Sequence, residues 1–374
     1  MSRRTAPLLL LLSALAGCAL DESIREPPPR PADVRARIAG VIPAAIPDRA
    51  GWAADIYAAL SSLSISPDAG NICAVVAITE QESTFRVDPP VPNLGRIANE
   101  EIDRRVGKIG IPAAAVHLAF KLTSPDGRTY AERIDGAKTE KDLSEAFEDF
   151  IGMVPLGQRL FGNLNPVRTA GPMQVSIAFA ERHAKERAYP YPVSGSIRHE
   201  VFTRRGGLYF GIAHLLDYPA AYPRHLYRFA DFNAGRYASR NAAFQHAVSL
   251  VSGLPLELDG DLIRPGSDEA HPGSTELAVR AIGRQLDMGP EEIRKALRQE
   301  DSPDFDRSAL HRRVFELADR IERKGVPRAI VPRIELKSPK FTRKLTTEWF
   351  ANRVDERHRR CLARLEAAGG TSLR

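Results

Sequence analysis

The run Ile72-Cys73-Ala74-Val75-Val76-Ala77-Ile78 constrains this chain more than any other feature. Ser66-Pro67-Asp68 just before it reads as a helix start, with Ser66 as N-cap, Pro67 in the first helical position and an acid in the first turn. The helix so opened is apolar nearly all round, and a helix without a polar face belongs at the centre of a domain. It ends at Thr79-Glu80-Gln81-Glu82-Ser83, so whatever it carries to the edge of the core is carried by Glu80 or Glu82.

The rest of the chain follows the same helical period. Trp52, Ile56, Ala59, Leu60 and Leu63 form an apolar stripe over 51–63. Further helical patterns fall at 96–106, 112–122, 140–153, 176–187, 200–216, 224–233 and 239–250, then at 274–286, 290–298, 308–323 and 342–367. Ser124-Pro125-Asp126-Gly127 marks a turn, and 255–273, rich in Gly, Pro and Asp, reads as a linker or long loop. No alternating pattern is strong enough for a sheet, and no fixed-period repeat is present. The expected class is all-α.

The first eighteen residues address compartment. Arg3 and Arg4 precede the apolar stretch Leu8–Leu12, which is too short to span a bilayer, a task needing about 20 apolar residues. The stretch runs into Leu15-Ala16-Gly17-Cys18, which resembles the bacterial lipobox. That resemblance implies a signal peptide at 1–17 and a lipid on Cys18. With Ala19 rather than Asp following, it also implies an outer-membrane lipoprotein facing the periplasm. Residues 18–49, with Glu26-Pro27-Pro28-Pro29-Arg30-Pro31, read as a proline-rich tether. An ordinary signal peptide with a chance cysteine is the competing reading.

Composition mainly excludes. The formal net charge is +6, mild for this length, and no Lys/Arg block is interleaved with aromatics, so nucleic acid is not an expected partner. Cys73 and Cys361 are the cysteines left beside Cys18. In an oxidising compartment they could pair, but their spacing does not decide it, and a buried inert thiol is the commoner fate of a cysteine in an apolar run. There is no CxxC, no HExxH and no metal-ligand spacing among the nine histidines. No metal and no cofactor are expected.

Three short motifs stand in order: Glu82-Ser83-Thr84-Phe85, then Gly171-Pro172-Met173-Gln174-Val175-Ser176, then Ala230 and Phe232-Asn233-Ala234-Gly235. Together, with Gly211–Leu216 before the third, they resemble the lytic transglycosylase group of the lysozyme-like superfamily. The architecture as a whole is also similar to a group of bacterial lipoproteins described only as a domain of unknown function. The first resemblance covers roughly 50–87 and 165–250. It implies a lysozyme-like helical domain at 50–254 with a large insertion at about 86–167, followed by a helical C-terminal extension at 255–374. Two departures accompany it. The first and second motifs are separated by that insertion, and Phe232 stands where the family has a tyrosine near its catalytic acid; Tyr237 or Tyr209 would have to replace its hydroxyl. His214 likewise stands in place of a tyrosine.

The resemblance implies a chemistry that the residues can be tested against. Cleaving a glycosidic bond near neutral pH needs an acid that is still protonated, whereas a free Glu has a pKa of about 4.3. Burial beside an apolar core and the negative end of a helix both favour the neutral form, and both are available to Glu82. The usual glycosidase scheme uses two carboxylates, and no second acid stands out in the other motifs. This favours the variant in which the muramic acid 6-hydroxyl attacks its own anomeric carbon and leaves a 1,6-anhydromuramyl end on a peptidoglycan strand. Glu82 is then the catalytic residue. Ser83 is placed to orient its carboxyl, Gly171 to let backbone come close to the acid, Met173 and Gln174 to line the cleft, and Asn233 to contact an N-acetyl group. Glu80 competes weakly with Glu82, and for Gln174 and Asn233 a role in holding loops weighs as much as sugar contact. The alternative from another class is a catalytically inactive cell-wall-binding or interaction lipoprotein on the same fold.

Overall fold

Helix α1 (Pro31–Val41) opens with proline in its first turn, where the missing N–H costs nothing, and buries Val34, Ile38 and Val41 at helical spacing. It packs on α2 (Arg49–Ser62), so the latter part of the segment read as a tether is a docked helix. Its i, i+4, i+7 pattern is short, and the neighbouring prolines mask it. A computed structural model of the chain describes residues 29–153, 165–336 and 344–368. The signal peptide at 1–17, Cys18, and residues 154–164 of the expected insertion lie outside the described residues.

The central helix is α3 (Ala69–Glu82), buried from Ile72 to Thr79. Its cap is Asp68, whose carboxylate accepts from the Asn71 backbone N–H at 2.8 Å, two residues beyond the expected Ser66. The segment after it forms α4 (Leu94–Lys108), α5 (Ala113–Ala119), α6 (Tyr130–Asp135) and α7 (Glu140–Met153). A two-residue hairpin, β1 (Thr169–Ala170) against β2 (Val175–Ser176), carries the second motif. Then come α8 (Ile177–Glu186), α9 (Ile197–Val201), α10 (Arg204–Leu216), α11 (His225–Ala234) and α12 (Ala238–Ser252). The stretch 200–216, read as one helix, is broken at Thr203, whose side chain caps α10 through the Gly206 N–H.

Residues 255–374, read as one extension, serve two cores. In the first part α13 (Ser274–Ala281), α14 (Gly283–Leu286), α15 (Pro290–Leu297), α16 (Asp304–Arg307) and α17 (Ala309–Glu322) enclose a second hydrophobic cluster with Phe244 and Val248 of α12. A buried carboxylate organises it: Glu276 meets Arg280 and Arg294, each at 2.5 Å. The chain then returns through a second two-residue hairpin, β3 (Glu335–Leu336) with β4 (Leu345–Thr346), into α18 (Thr347–Ala367). This last helix lies against α3 and α11 and buries Phe350, Val354, Cys361 and Leu365 in the first core. Cys73 and Cys361 are joined by a disulfide with Cα atoms 5.5 Å apart. Cys73 is thus a cross-link across the core and not an inert thiol. The described residues are mostly helical, in keeping with the all-α class.

Candidate functional site

Glu82 is the last residue of α3 and is half-buried. The turn after it is unusual. Thr84 and Phe85 both take left-handed backbone conformations, with φ of 52° and 57°, which cost side-chain-bearing residues of order 1 kcal/mol or more each and persist only where the surroundings fix them. Here Phe85 is the fixing group. It is buried and meets Trp52 of α2 edge-on at 5.1 Å.

Ser83 closes the helix. Its Oγ donates to the Thr79 carbonyl at 3.2 Å and accepts the Arg86 N–H at 3.3 Å, so the hydrogen bonds it makes fix the turn on which Glu82 sits. Glu80 is engaged elsewhere, 3.6 Å from Arg357 and 3.9 Å from Arg360 of α18. The Oε1 of Gln81 is buried and has no hydrogen-bond partner among the described residues.

The second motif is packed on α10. Gly171 has φ +75°, and a Cβ there would stand 2.3 Å from the Val201 carbonyl oxygen and 3.1 Å from the Gly207 Cα. Its close approach is therefore to the α9–α10 junction. Met173 is fully buried, and a Cβ at Gly211 would fall 2.5 Å from its Sδ. Gly207 and Gly211, one turn apart on α10, form the seat for this motif. Gln174, at φ +49°, folds onto its own turn, donating to the Gly171 carbonyl and accepting from the Thr169 hydroxyl, both at 3.2 Å.

The third motif meets the same helix from the other side. The Phe232 ring lies 5.1 Å from His214, and the Phe232 carbonyl is 3.3 Å from His214 Nε2. Burial, with Arg236 adding repulsion, pushes the His214 imidazole down to about 4; its Nδ1 is buried without a hydrogen-bond partner among the described residues. Asn233 is exposed, and its Oδ1 accepts from the Thr347 hydroxyl at 3.0 Å, tying α11 to the start of α18. Tyr209 and Tyr237 are both buried; Tyr237 packs against Tyr218 at 5.1 Å, and Tyr209 against His183 and Tyr189.

Asp231 is a buried acid that sequence reading missed. Its buried carboxylate accepts from the Tyr218 and Tyr222 hydroxyls at 3.0 and 2.7 Å, and from the Tyr237 and Ser239 N–H groups at 3.0 and 2.7 Å. Burial nevertheless raises its pKa. The cluster of Tyr218, Tyr222 and Tyr237 around one acid was the available signal.

A cavity of about 520 Å³ lies beside the second motif, lined among others by Glu148, Asn165, Arg168, Ser176, Arg198 and His199. Its wall is pre-assembled. Glu148 stands 3.6 Å from Arg198 and 3.3 Å from His199, and accepts from Ser144 Oγ at 3.0 Å. Glu82 is not among its lining residues. Among the described residues there is no group of His, Cys, Asp and Glu that could hold a metal ion, and no helix is long and apolar enough to cross a membrane.

A family model described as Protein of unknown function (DUF1615) matches residues 45–364. The Uncharacterized protein YaiW of Escherichia coli (strain K12) is 52% identical over 359 residues, covering 95% of this chain and 96% of that protein. No solved structure matches the chain.

Proposed function

This chain belongs to the DUF1615 family, and we propose that it is a lipid-anchored, periplasm-facing protein of the outer membrane that cleaves peptidoglycan with Glu82 as its single acid–base residue. The observation that carries the reading is the turn after Glu82. A helix buried from Ile72 to Thr79 ends in a half-buried carboxylate followed by two strained left-handed residues, and such strain concentrates at functional sites. Gln174 of the second motif is strained in the same way. The second and third motifs both seat on α10, through the Gly207–Gly211 face and the His214–Phe232 pair, and α10 itself touches α3. This common seat supports a lysozyme-like arrangement of the three.

The chemistry then follows from what the motifs offer. Asp231 is the other carboxylate within them, and four hydrogen bonds in the core consume it. Glu82 protonates the glycosidic oxygen as the bond to the muramic acid anomeric carbon breaks. The substrate's own 6-hydroxyl then attacks that carbon and returns its proton to Glu82, giving a 1,6-anhydro product. Holding nucleophile and electrophile in one molecule supplies the effective concentration that a second carboxylate would otherwise provide. The disulfide supports an oxidising compartment, consistent with the lipobox-like segment before Cys18.

A second reading has one observation in its favour: Glu82 does not line the cavity beside the second motif, as a binding module without catalysis would allow. Incubating purified protein, Glu82→Gln and Glu80→Gln with labelled sacculi separates the two. Solubilised fragments from the parent and from Glu80→Gln, with Glu82→Gln silent, are expected. Sacculi that are bound but released by none of the three would leave the binding module standing.

A further inference from the structure

The expected insertion displays an apolar surface that its own fold does not cover. Residues 109–120, Ile-Gly-Ile-Pro-Ala-Ala-Ala-Val-His-Leu-Ala-Phe, contain no acid, Lys or Arg, and Lys108 and Lys121 bracket them. Helix α5, Ala-Ala-Ala-Val-His-Leu-Ala, has no buried residue. Ile109, Leu118 and Leu122 are 56%, 67% and 53% exposed. Ala114 and Leu118, one turn apart on α5, both face outward, and Leu122 is exposed just beyond the end of the helix. Soluble surfaces scatter single apolar residues, but several exposed large ones within one short segment that has no charge of its own point to a contact site.

The patch is held rigidly. Phe120 is buried and meets Phe150 and Phe147 edge-on at 4.9 and 6.2 Å, while the Leu122 and Phe120 carbonyls accept from the Tyr130 and Ala131 N–H groups. The one titratable group inside the run, His117, is drawn to Asp103 at 2.7 Å.

We propose that this surface is a bilayer contact: Ile109, Leu118 and Leu122 enter the headgroup–acyl boundary of a membrane containing anionic phospholipid, with Lys108 and Lys121 at headgroup level. Two arguments favour lipid over a protein partner. A segment with no acid in its own sequence, bounded at both ends by lysines and with its histidine paired to Asp103 of α4, matches an interfacial segment, since long lysine side chains reach the headgroups while the apolar residues insert. Given the anchoring at Cys18 proposed above, on which this second reason rests, the segment connecting it to the first described helix, which starts at Pro31, can reach at most roughly 45 Å. The folded body then stays within reach of the surface. The contact does not depend on Glu82 or on catalysis.

The test places an environment-sensitive fluorophore on Leu118→Cys in the full chain and, as control, on Leu277→Cys of α13, which is 53% exposed on the other core. Both proteins are mixed with vesicles of phosphatidylethanolamine and phosphatidylglycerol. A severalfold emission rise with a blue shift at position 118, quenched by nitroxide-labelled lipid and weakened by Lys108→Glu/Lys121→Glu, is expected, with position 277 unchanged. A lipid anchor alone leaves both probes in water, so that anchoring and this contact are read separately. Equal, water-like emission at both positions overturns the proposal. So does a shift at 118 that appears without vesicles as protein concentration rises, because the occupant is then a second copy of the chain.

Discussion

Removing the Cys73–Cys361 bridge, by reduction or as Cys73→Ala/Cys361→Ala, is expected to loosen the core that holds Glu82. The cysteines are 288 positions apart, and a loop of that length carries a chain-entropy contribution of roughly 5–6 kcal/mol in the unfolded state. Bridges commonly deliver less than this ceiling, about 2–4 kcal/mol. The lower range applies because α18 already rests on α3 and buries Phe350, Val354 and Leu365 in the shared core, packing that the alanine pair leaves in place. For a protein of this size about 2–4 kcal/mol corresponds to roughly 3–5 °C in melting temperature. Tryptophan fluorescence is the suitable probe, since Trp52 and Trp349, the chain's two tryptophans, both belong to the bridged core. A melting curve that moves by less than about 1 °C on reduction, with loss of the bridge verified by thiol titration, would refute the assignment of stability to this cross-link.

Asp231→Ala strands two tyrosine hydroxyls and two backbone N–H groups in the core, and should cost about 3–5 kcal/mol in denaturant unfolding; a cost near zero would show that the acid clip is dispensable. Gly171→Ala adds a clash with the Val201 carbonyl to an unfavourable φ, so a loss of about 2–3 kcal/mol is expected. Gly110→Ala, with the same sign of φ and open space around it, should lose only about 1 kcal/mol. Equal losses would remove the argument for a tight seat on α10. His214, His225 and His311 are each pushed down to about 4, chiefly by burial. The folded chain therefore holds them neutral while the unfolded chain protonates them below about 6.5. Stability is complete above that pH and falls as pH drops toward 4, by about 2 kcal/mol per histidine at pH 5. Urea midpoints that agree at pH 7 and pH 5 would contradict this.

Much of this architecture was legible in the sequence because helical burial leaves a periodic trace. The 72–78 run announced a central helix by lacking a polar face, and the helix at 140–153 has the limits its pattern gave. Other features left weaker traces. Helix α1 shows only three buried positions and follows prolines that read as a spacer. The two hairpins have strands of two residues each, too short for alternation to register. That α18 crosses α3 could not be read locally, since it depends on contacts nearly 300 positions apart.

The site divides in the same way. Motif order proposed Glu82, Gly171 and Asn233, but which groups they touch is tertiary information. Gly171 faces Val201 and Gly207, Met173 fills the gap at Gly211, and Asn233 bonds Thr347. Asp231 was hidden because a buried acid and a solvated one look alike in sequence; its partners identify it.

The central claim is that Glu82 works alone, with the substrate supplying its own nucleophile. The most direct measurement digests sacculi in water enriched in heavy oxygen and analyses the released muropeptides by mass spectrometry. The account predicts muramyl ends lighter by one water, free of heavy oxygen, and absent when Glu82→Gln replaces the parent. Reducing ends carrying the heavy label would contradict it, because they would require a water activated by a second catalytic group.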